Sequence, residues 1–286
     1  MLVLLNRIIL TIFISVVSFS AFSEEMNTNY LKTDWSFKGI FGTFDRASLQ
    51  RGYQVYQEVC SGCHSVQHLS YRNLSEKGGP EFSVEEAKAI AAQFEVEDGP
   101  NSDGEMFMRP GRLSDTFVKP YPNVEASTAA NGGAYPPDMS VLTKARKGGA
   151  DYIYSLLLGY EEAPTGFELD EGVYYNKYMP GNKIKMSAPL SDGLVEYSDS
   201  TQATTAQMAK DVTTFLVWTA EPHLEAQHRM GFKAIIYLII LFTLVYMSKQ
   251  KVWSRIGSKE EPKEETFDKV ERAVTEYEGE DPKTFK

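Results

Sequence analysis

The apolar positions of this chain predict short amphipathic helices that are separated by long polar, glycine-rich segments. After Asp45, a residue that can cap a helix, apolar residues recur at helical spacing from Arg46 to about Val59. A second stripe with the same spacing predicts a helix over 205–220 that packs against the first one. Both stripes are typical of helices that face a hydrophobic core.

Residues that start or stop helices predict three more helices in the middle of the chain. Ser83 and Glu86 form a capping box, because the side chain of each can hydrogen-bond the backbone N–H of the other. Asp138 can cap a helix, and Gly159 can end one. The predicted ranges are 84–94, 139–147 and 151–158.

Two long stretches, 97–137 and 160–203, contain little periodic pattern. The first is dense in Gly, Pro and Asn, and the second has only short candidate strands near 173–175 and 194–197. Loops of this length inside a compact domain are uncommon and often functional. The pattern therefore predicts an all-α fold with long irregular loops.

One apolar run near the C-terminus differs from the amphipathic segments. Met230–Met247 is eighteen residues long and carries a single charge, Lys233. At about 1.5 Å per residue, such a helix spans about 27 Å, close to the hydrocarbon thickness of a bilayer. Lys233 lies near its start and can extend its ammonium group to the lipid headgroups. We expect a membrane anchor in contact with lipid; the alternative is a buried core helix.

The ends of the chain predict its topology. Residues 1–23 have the features of a secretory signal peptide, namely Arg7, an apolar stretch and a small-residue cleavage site; an uncleaved N-terminal anchor is the alternative. Basic residues follow the apolar run at 249–255, which predicts a cytoplasmic C-terminus. The expected organisation is a signal peptide at 1–23, an exported domain at 24–228, an anchor at 229–250, and a cytoplasmic basic collar with a flexible charged tail at 251–286. Export of this kind indicates a single-pass protein of a bacterial inner membrane, with its main domain in the periplasm.

The charge of the chain is distributed unevenly. The formal net charge is −10, and residues 24–228 carry 17 Lys and Arg against 29 Asp and Glu. Because no basic stripe offsets this negative charge, the sequence argues against nucleic-acid binding. Acidic residues concentrate in 81–115 and 161–199, both in irregular stretches. These stretches are either ordinary solvated surface or a field that attracts a basic partner.

The residues that carry chemistry are Cys60-Ser61-Gly62-Cys63-His64, which include the only two cysteines of the sequence. A Cys-x-x-Cys-His motif attaches a c-type haem, since the two thiols form thioethers with the porphyrin vinyl groups and the histidine binds the iron. A redox-active thiol pair or half of a zinc site are the alternatives. A structural zinc site needs four ligands, and no second cysteine pair exists. The motif therefore predicts one covalently attached haem c.

A second axial ligand to the iron, if present, must come from downstream. Methionine is the usual partner in electron-transfer haems, because its thioether raises the reduction potential. His68 lies too close to the attachment point to reach the opposite face. Met186 has the most suitable context, a distant loop that contains Pro189, but spacing alone leaves six candidates. They are Met106, Met108, Met139, Met179, Met186 and Met208.

The chain resembles the cytochrome c1 family, whose members are haem subunits of the cytochrome bc1 complex. The resemblance covers about 35–253 and rests on motifs spread over that whole length. They are Arg51-Gly52-Tyr53-Gln54-Val55-Tyr56, Asp98-Gly99-Pro100-Asn101, Arg109-Pro110-Gly111, Asn131, Pro136-Pro137-Asp138, Arg146, Gly148-Gly149-Ala150-Asp151-Tyr152, Pro164-Thr165-Gly166, Met186-Ser187-Ala188-Pro189, Ala209-Lys210-Asp211-Val212 and Met230-Gly231-Phe232-Lys233. The fold it implies is a cytochrome c-like haem domain with one C-terminal transmembrane helix.

The resemblance also implies a set of haem-binding residues. Thioethers would form at Cys60 and Cys63, and the axial ligands of the iron would be His64 and Met186. Arg146 would pair with a haem propionate, which is a charge-assisted bond. The other pocket residues implied are Asn131, Pro136, Pro137 and Tyr152.

The function that the resemblance implies is transfer of single electrons. The chain would accept an electron from the Rieske iron–sulfur protein and pass it to a cytochrome c, next to cytochrome b in a dimeric complex. It would thus be an electron-transfer subunit of the quinol–cytochrome c reductase without catalytic residues of its own. The alternatives are a haem subunit of another respiratory complex, and a haem enzyme or gas sensor with an open iron position.

Overall fold

The computed structural model of the chain describes residues 29–257 and 268–272. The predicted signal peptide and most of the predicted charged tail lie outside the described residues. The chain divides into two compact units, one that ends at His228 and one that begins at Arg229.

Helices dominate the described residues, in agreement with the predicted all-α class. The helices are α1 (Arg46–Val55), α2 (Val84–Ala91), α3 (Val124–Ala130), α4 (Gly149–Leu158), α5 (Thr205–Ala220) and α6 (Leu224–Gly257). A π-helical turn, Tyr56–Cys60, continues α1, and 3-10 turns cover Tyr71–Ser75 and Pro180–Asn182. The strands form two small antiparallel pairs, β1 (Glu95–Asp98) with β2 (Phe107–Pro110) and β3 (Tyr174–Tyr175) with β4 (Lys183–Ile184).

Helices α1 and α5 pack against each other, as predicted. Asp45 caps α1 by accepting a hydrogen bond from the Ser48 backbone N–H. The contact is very close at Gly52, where an added Cβ would lie 2.1 Å from the Asp211 carbonyl oxygen. Aromatic side chains continue the contact, with the Tyr56 and Phe215 rings stacked 5.6 Å apart. Glycine inside a helix is unfavourable by itself, and here this close approach explains it.

Replacing Gly52 with alanine is expected to destabilise the domain by about 1–3 kcal/mol or more, because the new methyl group would push against the backbone of α5. Urea unfolding of the detergent-solubilised protein, followed by circular dichroism, measures the change. Gly231→Ala is the matched control, since a Cβ there has nothing within 4 Å. If the two variants unfolded at the same urea concentration, the close packing of α1 on α5 would be wrong.

The predicted helix over 139–147 is wrong. The segment forms hydrogen-bonded turns instead, such as Leu142 N–H to the Met139 carbonyl at 3.2 Å. Asp138 accepts from the Ser140 N–H, as a cap would, but its other carboxylate oxygen accepts from Ser65 Oγ. The Asp138 carboxylate therefore joins this segment to Ser65, the residue after the Cys-x-x-Cys-His motif. Regular helix begins only after Gly148, which has a left-handed backbone conformation.

The long loops are more ordered than the sequence predicts. The stretch 97–137 holds most of the β1–β2 hairpin, and Asn123 caps the short helix α3 with a 2.8 Å bond to the Ala126 N–H. The strand predicted near 173–175 is confirmed by β3, whereas residues 194–197 form no strand. The Leu194 N–H instead closes a turn on the Ser191 carbonyl.

Helix α6 contains the predicted anchor. From Leu224 to Ser254 it is long and apolar enough to cross a membrane, and none of its most apolar window is buried. The alternative of a buried core helix is therefore wrong. The first turn of α6 belongs to the unit that ends at His228. There, buried Glu225 accepts two hydrogen bonds from the Arg46 guanidinium and one from the Phe44 N–H.

Candidate haem site

The Cys-x-x-Cys-His motif forms a tight turn at the end of α1. The π-helical turn closes with a 2.8 Å bond from the Ser61 N–H to the Tyr56 carbonyl. The next residues fold back, because the N–H groups of Cys63 and His64 both donate to the Cys60 carbonyl, at 3.1 and 2.9 Å. One turn of backbone therefore holds the two thiols and the imidazole in fixed relation to each other.

The environment of the thiols argues against the alternative chemistries. Burial, with a smaller contribution from neighbouring Cys63, raises the pKa of the Cys60 thiol to about 12. A redox-active Cys-x-x-Cys pair needs a thiol of lowered pKa, because the thiolate is the reactive form. Across the described part of the chain, no three His, Cys, Asp or Glu residues form a group that could hold a metal ion. A zinc site and a redox pair both fit this turn poorly.

The His64 imidazole is oriented by a backbone carbonyl. Its Nδ1 lies 2.8 Å from the Pro137 oxygen, and because a carbonyl only accepts, Nδ1 carries the proton. Burial lowers the pKa of His64 although the Pro137 carbonyl and Asp138 act in the opposite direction, so the neutral ring is favoured. Its lone pair is then on Nε2, which is the arrangement of a metal-binding histidine with an outer hydrogen bond.

Asp138 fixes the segment that carries this carbonyl. Its carboxylate accepts from Ser65 Oγ at 2.8 Å and from the Gln67 N–H at 3.1 Å, and the Met139 N–H donates to the Ser65 carbonyl at 2.8 Å. Burial opposes ionisation of Asp138, but these hydrogen bonds and those from Ser140 lower its pKa overall. The sequence suggested a helix cap here and missed this positioning role, because the partner at Ser65 is distant in sequence.

An open cleft of about 240 Å³ lies beside Cys63. Pro136, Tyr135 and the α3 residue Ser127 are among the residues that line it. Asn131 is half-buried and donates from Nδ2 to the Ser127 carbonyl at 2.7 Å. Pro136 thus shares the cleft with the second thiol, and Asn131 is joined to the wall of the cleft through Ser127.

The Met186 loop is held by hydrogen bonds at Met186 itself and at the preceding residue. The Tyr160 hydroxyl donates to the Met186 carbonyl at 3.1 Å, and burial raises the pKa of this phenol, which keeps it protonated. Lys185 Nζ donates to the Gly132 carbonyl at 3.0 Å and so joins the loop to the turn after α3. No periodicity or motif in the sequence pointed to Tyr160.

The other candidate methionines lie in different environments. Met106 and Met108 are exposed on the hairpin, whereas Met139 and Met208 are buried in the core. The Met179 sulfur accepts a hydrogen bond from the Tyr152 hydroxyl at 3.6 Å. Met186 is half-buried.

Arg146 and Tyr152 lie close together. Arg146 is exposed and donates from one guanidinium nitrogen to the Ala145 carbonyl at 3.2 Å. Burial raises the pKa of the Tyr152 phenol, although the nearby Arg146 charge acts to lower it. The guanidinium keeps further N–H donors, so it can take an anionic group beside the buried ring.

Comparison with known proteins identifies the family of this chain. Residues 35–256 match the family model described as the Cytochrome C1 family. The chain is 51% identical over 239 residues to the "Cytochrome b/c1" protein of Bradyrhizobium diazoefficiens, which aligns 77% of this chain but only 35% of that protein. It is 50% identical over 225 residues to "Cytochrome c1-2, heme protein, mitochondrial" of Solanum tuberosum, covering 79% of this chain and 85% of the relative. It is 49% identical over 226 residues to "Cytochrome c1, heme protein, mitochondrial" of Saccharomyces cerevisiae, covering 79% of this chain and 72% of the relative. The chain therefore belongs to the cytochrome c1 family.

Proposed function

We propose that this chain is the c-type haem electron-transfer subunit of a ubiquinol:cytochrome c oxidoreductase. The observation that carries the proposal is the turn at Cys60–His64, in which the proton on Nδ1 of His64 is held by the Pro137 carbonyl and Nε2 is left for a metal. Family membership supports it, since several relatives are named heme proteins. The relative "Cytochrome b/c1" and a Candida albicans relative named "Cytochrome b-c1 complex catalytic subunit, mitochondrial" support the assignment to that complex.

The donor set fits a haem c. Cys60 and Cys63 would hold the porphyrin through thioethers, and His64 would supply a nitrogen ligand to the iron. The bound group supplies one-electron chemistry, and the protein sets its orientation and potential. This chain contributes a neutral imidazole of fixed tautomer and an ordered loop around the cleft beside Cys63.

Met186 would supply the second protein ligand to the iron in this proposal. Met139 and Met208 are packed in the core, the Met179 sulfur is already a hydrogen-bond acceptor, and Met106 and Met108 are exposed on the hairpin. Met186 combines partial burial with a loop held at Tyr160 and Gly132. A ligand on an ordered loop can remain bound in both oxidation states, which electron transfer requires.

The remaining pocket residues have separate roles in this proposal. Arg146 would bind a haem propionate, and Tyr152 would line the pocket beside the Arg146 guanidinium. Asn131 and Pro136 would line the pocket near Cys63, and Pro137 would act through its carbonyl on His64.

The chain would accept an electron from the Rieske iron–sulfur protein and deliver it to a cytochrome c, next to cytochrome b in a dimeric complex. Helix α6 would cross the bacterial inner membrane once, with residues 24–228 in the periplasm and the C-terminus in the cytoplasm. The basic residues that follow the apolar run support this orientation.

We expect the full chain, purified from membranes of a host that matures c-type cytochromes, to give a pyridine haemochrome spectrum of a thioether-linked haem. The double variant Cys60→Ala/Cys63→Ala should lose covalent haem completely, because both attachment atoms are removed. Haem-stained denaturing gels measure the attachment. Absence of bound porphyrin in the parent chain would refute the proposal. Copurification of a cytochrome b and a Rieske protein distinguishes this complex from other respiratory complexes.

Electron delivery to a basic cytochrome c is expected to slow on the order of tenfold between low and high ionic strength, because salt screens the acidic surface. The acidic side chains Glu162, Glu168 and Glu171 are exposed. Changing these three to glutamine should lower the stopped-flow rate at low salt and flatten its salt dependence. Glu76→Gln, an exposed acid outside both acidic stretches, is the control. A rate that did not change with salt would remove the docking role of this surface.

A further inference from the structure

A loop before α1 exposes two large apolar side chains. Ile40 and Phe41 are 76% and 72% exposed, the largest fractions among the exposed large hydrophobic residues described between 29 and 228. They lie at a tip between Gly39 and Gly42, and Gly39 takes the left-handed conformation there, with φ 88°. A single exposed apolar residue is ordinary, but two adjacent ones at a loop tip indicate a contact surface.

Backbone hydrogen bonds and close packing hold the loop in one conformation. Backbone bonds of 3.0–3.1 Å cross it, from the Gly42 N–H to the Gly39 carbonyl and from the Thr43 N–H to the Ser36 carbonyl. An added Cβ at Gly42 would lie 2.3 Å from the Phe37 carbonyl oxygen, so the two arms are in close contact. Below the tip, Phe37 is buried with its ring stacked 5.4 Å from that of Trp35. The tip is therefore presented by an ordered base.

The same loop is bonded to the first turn of α6. His228 Nδ1 lies 3.0 Å from the Gly42 carbonyl oxygen, so it carries the proton and donates. The Phe44 N–H donates to the buried Glu225 carboxylate at 2.9 Å. His228 precedes Met230, the start of the apolar run, by two residues, which is about 3 Å along a helix axis. The loop is consequently bonded to the residues that directly precede the apolar run in the sequence.

The charge of the loop suits a lipid surface. Residues 36–44 contain one lysine and no acid, whereas the surrounding 24–228 region carries 29 acids against 17 basic residues. Anionic headgroups would repel the acidic surface elsewhere but not this segment. The lysine, Lys38, is paired with the Asp151 carboxylate at 3.2 Å, so the segment presents its apolar and aromatic side chains without a net negative charge, as segments in the headgroup–acyl boundary do.

We propose that Ile40 and Phe41 insert into the outer headgroup–acyl boundary of the membrane and give the exported domain a second lipid contact besides α6. The inference rests on the proposed role of α6 as the anchor. Together, the inserted tip and the bonds at Glu225 and His228 would restrict the tilt of the domain relative to the bilayer.

The test uses nitroxide labels on the full chain, purified from membranes with the subunits that accompany it, in nanodiscs of phosphatidylethanolamine and phosphatidylglycerol. Ile40→Cys carries the label, and Phe41→Cys replaces it if the first variant is poorly folded. Leu194→Cys is the reference for an exposed turn, and Leu238→Cys is the reference within α6. The unmodified chain gives the background from Cys60 and Cys63. Power saturation compares collisions with oxygen, which concentrates in lipid, and with a water-soluble nickel chelate.

The expected result is an oxygen-to-nickel collision ratio at Ile40 severalfold above that at Leu194 and below that at Leu238. A ratio at Ile40 equal to that at Leu194, with Leu238 still in lipid, would overturn this inference and leave the anchor intact. Protection of Ile40 from both reagents would show that a protein neighbour covers the tip, and would also overturn it. If Leu238 itself behaved as water-exposed, the proposed anchor would fail, and the inserted tip with it.

Discussion

Met186→Leu is expected to keep the haem attached while lowering its midpoint potential by on the order of 100 mV or more, since axial ligands set haem potentials over a range of about 0.8 V. Leucine has a similar volume but no thioether to stabilise ferrous iron. The loop should keep its place, because its bonds at Tyr160 and Gly132 use neither the sulfur nor the side chain of residue 186. Spectroelectrochemical titration measures the potential, and haem staining measures the attachment.

An opened iron position gives a second measurement of the same variant. Ferrous Met186→Leu should bind carbon monoxide at neutral pH, whereas the parent chain should not. Met179→Leu is the matched control, because its sulfur accepts from the Tyr152 hydroxyl and should not be available to iron. Carbon monoxide binding by the parent chain would favour a gas sensor or haem enzyme. An unchanged potential in Met186→Leu would exclude this residue as the ligand.

The parts of the fold that were predictable depend on contacts between residues near each other in sequence. The cap at Asp45, the capping box at Ser83 and the stop at Gly159 each involve partners within a few residues, and all three helices form. Asp138 shows where this reasoning fails. Its carboxylate has a local partner in Ser140 and distant partners in Ser65 and Gln67, and no local pattern indicates that the distant ones matter.

The candidate site likewise has a part that local sequence predicts and a part that depends on residues distant in sequence. The thiols and the imidazole were predictable because the motif is contiguous at Cys60–His64. The orientation of His64 by Pro137 joins residues 73 positions apart, and the support of Met186 by Tyr160 joins residues 26 positions apart. Periodicity and spacing cannot reveal such pairs. Its distant loop with Pro189 made Met186 the most suitable of six methionines, and the resemblance to a family implied the same residue, but spacing alone could not choose it; its assignment as a ligand stays a proposal.

The buried ion pair between α1 and α5 should be the most sensitive point of the fold. The Asp211 side chain is fully buried and accepts from Nε and Nη2 of Arg51, at 2.9 and 3.1 Å. Ser48 Oγ, at 2.6 Å, and Gln207 Nε2, at 3.0 Å, complete its shell. Burial alone would lower the pKa of Arg51, but its bonds to Asp211 and Asp199 raise it, so the guanidinium stays charged.

Asp211→Ala is therefore expected to destabilise the domain by about 3–5 kcal/mol, the usual cost of removing one partner of a buried pair. The Arg51 side chain is only 14% exposed and keeps its charge, with the 40%-exposed Asp199 side chain as its remaining acidic partner, and Ser48 loses its acceptor. Since whole domains are stable by about 5–15 kcal/mol, much of the variant should unfold at mild urea concentrations. Asp211→Asn retains a hydrogen-bond acceptor of similar shape, so its unfolding free energy should lie between those of the parent chain and Asp211→Ala. Urea unfolding in detergent, followed by circular dichroism, measures all three chains.

The exposed pair of Lys183 and Asp170 provides the contrast. Its side chains are 43% and 81% exposed and 3.5 Å apart, so Asp170→Ala should change the unfolding free energy by less than about 1 kcal/mol. The two substitutions each delete one carboxylate of an ion pair and differ in burial. If Asp211→Ala cost no more than Asp170→Ala, the buried charges would not hold α1 against α5. The same contact carries the turn at Cys60 on the end of α1, so a loosened α1 should also reduce the fraction of chain that retains a fixed haem environment.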